Sequence, residues 1–88
     1  MRIFASDKLM MNKRSTLAEL KKGETAVIES LAETELSLKL MEMGCIPGET
    51  VSLEKIAPLG DPIAVFVSGY LLSLRKAEAS TVKVIQNI

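Results

Sequence analysis

Few side chains in this 88-residue chain can do chemistry. Cys45 is the only thiol, with Met41 and Met43 just upstream. Thiolate and thioether sulfurs are soft ligands, so the three could be read as a soft-metal site. The same residue types also describe core filling, with Met43 as a packing residue and Cys45 as a small buried hydrophobe, and that reading is preferred. Cys45 is the sole metal candidate that survives, and a weak one. Glu33, Glu35 and Glu42 could gather around a hard cation, but nothing in their spacing fixes a geometry, and a solvated helix flank accounts for them. Histidine is absent, which removes the commonest general base near neutral pH and the commonest transition-metal ligand. A nucleophilic Cys45 would need a neighbouring base or cation to lower its pKa. No glycine-rich phosphate loop of either common pattern is present. No catalytic residue is assigned, and the chain is expected not to be an enzyme. Arg75 and Lys76, close to Glu78, read as a surface ion pair or a helix cap, or else as a partner contact.

Composition bounds the elements that position these residues. Eighty-eight residues make at most one domain, with a small core. The chain is 48% hydrophobic with one Tyr, two Phe and no Trp, so that core must be aliphatic. Net charge is zero but unevenly spread. Residues 1–22 hold six basic and two acidic side chains, residues 23–54 one and seven, and residues 55–88 four and two. This is not a nucleic-acid footprint, which calls for a clustered basic patch. Stacking aromatics are nearly absent too, so no nucleic-acid partner is expected. A single cysteine fits a reducing compartment. No apolar run approaches a membrane span, and Ser6, Asp7 and Lys8 interrupt any signal-peptide core. A cytoplasmic protein, not itself inserted in a membrane, is expected.

Residues 1–14 show no sustained period and read as a mobile tail, with the domain over 15–88. Thr16 and Glu19 fit a capping box, predicting a helical turn over Leu17–Lys21 with Leu17 and Leu20 inward. The β-branched run Thr25–Leu31 reads as a strand. Thr34 can cap a helix over Glu35–Met43, whose inward stripe is Leu36, Leu40 and Met43. Leu38 and Met41 are left on its opposite side, and Gly44 ends it. Alternation then predicts strands over Thr50–Ile56, Ile63–Ser68 and Tyr70–Arg75. Val51, Leu53, Ile63, Val65, Val67, Leu72 and Leu74 point inward. Ser68-Gly69 forms a tight turn in which Gly69 takes positive φ. A helical turn over Lys76–Ser80 leads to a last strand over Thr81–Ile85. The expected fold is therefore mainly β. It has five strands, one short helix between the first two and a helical turn before the fifth, closed into a small barrel to remove sheet edges.

The stretch from Lys39 to Pro62 carries most of the backbone punctuation. Gly44 and Pro47-Gly48 flank one end of a short strand, and Pro58, Gly60 and Pro62 the other. Proline fixes φ and glycine admits φ > 0, so these residues set where the chain enters and leaves that strand. A loop of this kind on a rigid scaffold is also a place where function concentrates. Pro58, Leu59 and Asp61, with Leu38 and Met41 of the helix, are the candidate partner surface. Leu40 is either core support or part of the contact.

Three motifs then resemble one family. KLMEMGCIPG, Lys39 to Gly48, is similar to its K/R-L-L-x-L/M-G-hydrophobic-hydrophobic-P-G segment. APLGDPI, Ala57 to Ile63, matches its A-P-L-G-D-P-I loop at every position. LSLRKAEA, Leu72 to Ala79, is similar to its L-x-L-R-x-x-E-A stretch. In this order and spacing they resemble FeoA, the small cytosolic accessory protein of bacterial ferrous-iron uptake, over Thr16 to Ile85. The resemblance implies an SH3-like β-barrel and a non-enzymatic role: binding and modulating the membrane transporter FeoB through its cytosolic GTPase region. It also associates the domain with Fe2+, so the alternative function is a Fe2+-binding sensor built on Cys45. Related barrels terminate iron- and manganese-responsive repressors, but nothing before residue 15 reads as a DNA-binding helix-turn-helix.

Overall fold

The structure, a computed structural model, describes residues 12–87. Six strands make one antiparallel sheet: β1 (Asn12–Thr16), β2 (Thr25–Leu31), β3 (Thr50–Ile56), β4 (Ile63–Val67), β5 (Tyr70–Leu74) and β6 (Val82–Asn87). Their spatial order is β1-β6-β2-β3-β4-β5. A 3-10 turn (Leu17–Glu19) follows β1, helix α1 (Glu35–Glu42) joins β2 to β3, and helix α2 (Lys76–Ala79) joins β5 to β6.

The alternation read from sequence sets the inner face. Val51, Leu53, Ile63, Val65, Val67, Leu74, Val82 and Val84 are all buried, and Leu72 packs partly buried against them. Side chains alternate across a strand, so one hydrophobic register selects one face. The core is aliphatic throughout.

Two expectations are corrected. The strands number six, because Asn12–Thr16 pairs along β6 from Asn12↔Asn87 to Thr16↔Lys83. The tail expected over 1–14 thus gives up Asn12, Lys13 and Arg14 to a strand; residues 1–11 lie outside the described residues. A polar segment without a hydrophobic period forms β1 because its backbone completes the ladder beside β6, which pattern alone does not reveal. The second correction concerns closure. The sheet is open, with β1 and β5 as its two edges and no ladder between them. It curls instead through bulges, at Glu29 in β2 and at Glu54 in β3, where the register shifts. An extra residue in one strand bends it and increases its twist. The 3-10 turn and α2 lie against one another and bury Leu17, Leu20 and Ala79. Packing, rather than strand pairing, covers that side of the core.

Local punctuation acts largely as read. The Thr34 hydroxyl accepts the Leu36 N–H at 3.1 Å and caps α1. The other expected cap is absent: Thr16 makes no side-chain cap bond, and Leu17–Glu19 is a 3-10 turn rather than an α-helical one. At the end of α1, Gly44 N–H donates to Met41 O at 3.0 Å and Cys45 N–H to Leu40 O at 3.0 Å, with Gly44 at φ +110°. This is the Schellman stop that glycine favours. The β4–β5 turn has positive φ at both Ser68 (53°) and Gly69 (84°), a primed turn matched to strand twist. Ser68 Oγ donates to Gly44 O at 3.0 Å, so the helix stop and the hairpin turn hold one another. A Cβ on Gly44 would lie 3.1 Å from the Ser68 Cβ.

Candidate functional site

The helix α1 divides its apolar residues between two surfaces. Leu40 is 1% exposed and is its only fully buried side chain, with Leu36 and Met43 packed partly buried beside the core. Leu38 and Met41, on the other flank, are 63% and 37% exposed. Leu40, at 1% exposure, supports the helix from beneath that flank. An eight-residue helix is not stable alone. Docking through Leu40 is what presents Leu38 and Met41.

The loop from Ala57 to Pro62 is the second component. Ala57 N–H donates to Pro62 O at 3.0 Å and Gly60 N–H to Ala57 O at 2.7 Å, which closes the corner on itself. Leu59 stands at its tip, 96% exposed, beside exposed Pro58. Asp61 is exposed as well, but its Oδ1 accepts the Lys76 N–H at 2.9 Å. Part of that carboxylate thus ties the loop to the start of α2. Pro62 lines a cleft of about 280 Å³ with Lys39 and Leu40 of α1, Met43 at its C-cap, and Ser73, Arg75 and Glu78, so the corner meets the helix on the Leu40–Met43 side and not on the flank of Leu38 and Met41. The other corner, Pro47-Gly48, is stitched to β2: Gly48 N–H donates to Ile28 O at 2.8 Å and Ile28 N–H to Glu49 O at 2.9 Å.

Cys45 lies at 0% exposure in the aliphatic core. Burial pushes its thiol pKa up, because low polarity disfavours the thiolate. Among the described residues no three His, Cys, Asp or Glu side chains come together in a metal-binding group. The donor set therefore does not fit a resident Fe2+ at Cys45, since a ligating thiol needs the thiolate and partners. A thiol reagent at pH 8 is expected to label Cys45 slowly in the folded protein and fully once denaturant is added. Equal rates in both states would place the thiol at the surface.

Two residues of the sheet went unnoticed as surface features. Phe66 and Leu71 pair directly across β4 and β5, 46% and 58% exposed. Their signal was present: with Ile63, Val65 and Val67 inward, Phe66 must face out. Arg75 and Lys76 form no ion pair with Glu78. Instead Glu78 Oε1 accepts the Arg75 backbone N–H at 3.0 Å, which caps α2. Among the described residues no helix is long and apolar enough to cross a membrane.

Comparison with known proteins agrees with this geometry. A Fe(2+) transport protein A/Fe(2+) transporter FeoB fusion protein from Porphyromonas gingivalis is 35% identical over 69 residues, which are 77% of this chain and 8% of that protein. The solution structure of a FeoA-like protein from Clostridium acetobutylicum superimposes with a TM-score of 0.78 at 34% identity, over 86% of this chain and 88% of the other. Stenotrophomonas maltophilia FeoA, described as a procaryotic SH3 domain protein and solved with zinc, gives 0.71 at 31% identity, over 82% and 95%. The six-stranded sheet is thus SH3-like. The FeoA domain model matches residues 15–86, from the end of β1 into β6, and the chain belongs to the FeoA family.

Proposed function

We propose that this chain is a non-enzymatic accessory protein of ferrous-iron uptake that works in the cytosol. It docks on the cytosolic GTPase region of FeoB and sets that transporter's activity. The observation that carries this reading is the Porphyromonas gingivalis relative, in which the A protein and FeoB are one polypeptide. Covalent linkage raises the effective concentration of two partners to about millimolar levels, so it suits a pair whose separate affinity is weak. Fe2+ is the transporter's cargo in this reading, and among the described residues no group of His, Cys, Asp and Glu side chains comes together to hold it.

The surface offered to the partner takes in Leu38 and Met41 of α1 and Pro58, Leu59 and Asp61 of the Ala57–Pro62 corner, with Leu40 beneath the helix. Two exposed helix residues and one exposed loop tip offer little apolar area. The interface falls at or below the lower end of standard size, about 1,200 Å² in total, where transient complexes lie. Calorimetric titration of the separate chain into the soluble GTPase region of a FeoB is expected to show saturable one-to-one binding with a micromolar-to-millimolar Kd. Absence of binding at millimolar protein, with both components folded, would overturn the proposal.

A further inference from the structure

The outer edge of β5 carries backbone groups that no described residue satisfies. Val67 and Tyr70 close the two-residue β4–β5 turn and form a mutually hydrogen-bonded pair. Such pairs alternate along an antiparallel ladder, and β4–β5 runs without a bulge from Val67↔Tyr70 to Ile63↔Leu74. The N–H and C=O groups of Leu71 and Ser73 therefore point away from β4. No other strand pairs with β5, and these groups have no backbone partner among the described residues. The opposite edge, β1, is guarded by Lys13 and Arg14, as natural sheet edges commonly are. The β5 edge, Tyr-Leu-Leu-Ser-Leu, has no charge and no proline.

Ser73 of that strand lines the 280 Å³ cleft together with Lys39 and Leu40 of α1 and Met43 at its C-cap. A strand edge facing a helix across a cleft is the arrangement in which an extended peptide adds to a sheet. The charges set the kind of peptide. Lys39 and Arg75 both line the cleft and make no ion pair among the described residues, while the Glu78 carboxylate is turned back onto the Arg75 N–H.

We propose that the β5 edge is a strand-addition site for an extended peptide segment, bound through the main-chain groups of Leu71 and Ser73 with an acidic residue between Lys39 and Arg75. This stands independently of the transporter reading. Its test uses the full chain, isotopically labelled, and two hexapeptides of alternating Thr and Val, one flanked by Asp and one by Lys. The Asp peptide is expected to slow hydrogen exchange of the Leu71 and Ser73 amides and to bind at least about tenfold more tightly than the Lys peptide, as complementary charge requires. Leu71→Pro is expected to abolish binding while the protein stays folded, because the lost N–H serves no ladder and proline is tolerated at such edge positions. Arg75→Glu together with Lys39→Glu is expected to reverse the preference between peptides. The proposal is overturned if neither peptide protects the two amides at millimolar concentration, or if both bind equally. It is also overturned if the amides are protected without peptide in proportion to protein concentration, which would make a second copy of the chain the occupant.

Discussion

Leu40→Ala is expected to lower unfolding free energy by about 2–5 kcal/mol, the range for truncating a fully buried leucine. A domain of this size has only about 5–10 kcal/mol to lose. The thermal midpoint should then fall by at least about 8 °C, since 1 kcal/mol shifts a small domain by roughly 4–8 °C. The effect falls at the upper part of the range for a local reason. Leu40 is the one fully buried side chain of α1, and its carbonyl also accepts the Cys45 N–H that closes the helix stop. The remaining contacts of the helix come from Leu36 and Met43, both only partly buried. Truncation therefore loosens the element that presents Leu38 and Met41, and FeoB binding should weaken with it. Thermal and urea unfolding followed by circular dichroism measure the loss. A midpoint within 3 °C of the parent would mean that α1 does not depend on Leu40 for its place.

Replacing Leu38 and Met41 together with glutamate should give the converse result, weakening binding to the FeoB GTPase region at least tenfold with little change in stability. Both side chains face solvent, and surface substitutions of this kind usually move stability by no more than about 0.5 kcal/mol. A further few tenths is expected from like charge, because residue 38 lies four before Glu42. In a bound complex the same two positions would place carboxylates into a desolvated contact, where an unpaired charge is costly. Leu38→Gln with Met41→Gln separates the two causes: it removes apolar surface without adding charge and should lie between parent and double glutamate. Unchanged affinity in a folded double-glutamate protein would take this helix flank out of the proposed surface. Read with Leu40→Ala, the pair distinguishes residues that touch the partner from the one that holds them in place.

Residue types and short-range order already determined much of this protein. Strict alternation in Thr50–Ile56 and Ile63–Val67 chose their buried face, because side-chain period and strand pleat coincide. The three-four spacing of Leu36, Leu40 and Met43 and the stop at Gly44 marked α1 and left Leu38 and Met41 outside, since helical angle alone separates those positions. The lack of histidine and the apolar surroundings of Cys45 already weighed against a metal site. What only tertiary structure decided was long-range. Asn12–Thr16 has no pattern of its own and becomes a strand because β6 offers it a ladder. The sheet curls at bulges at Glu29 and Glu54 without a ladder between β1 and β5, and the 3-10 turn and α2 fill the seam by packing. Asp61 bonds to Lys76, fifteen residues away, and Leu71 and Ser73 present backbone at an edge that no described residue pairs. Such properties depend on which segments meet in space, and a local window of sequence carries no record of that.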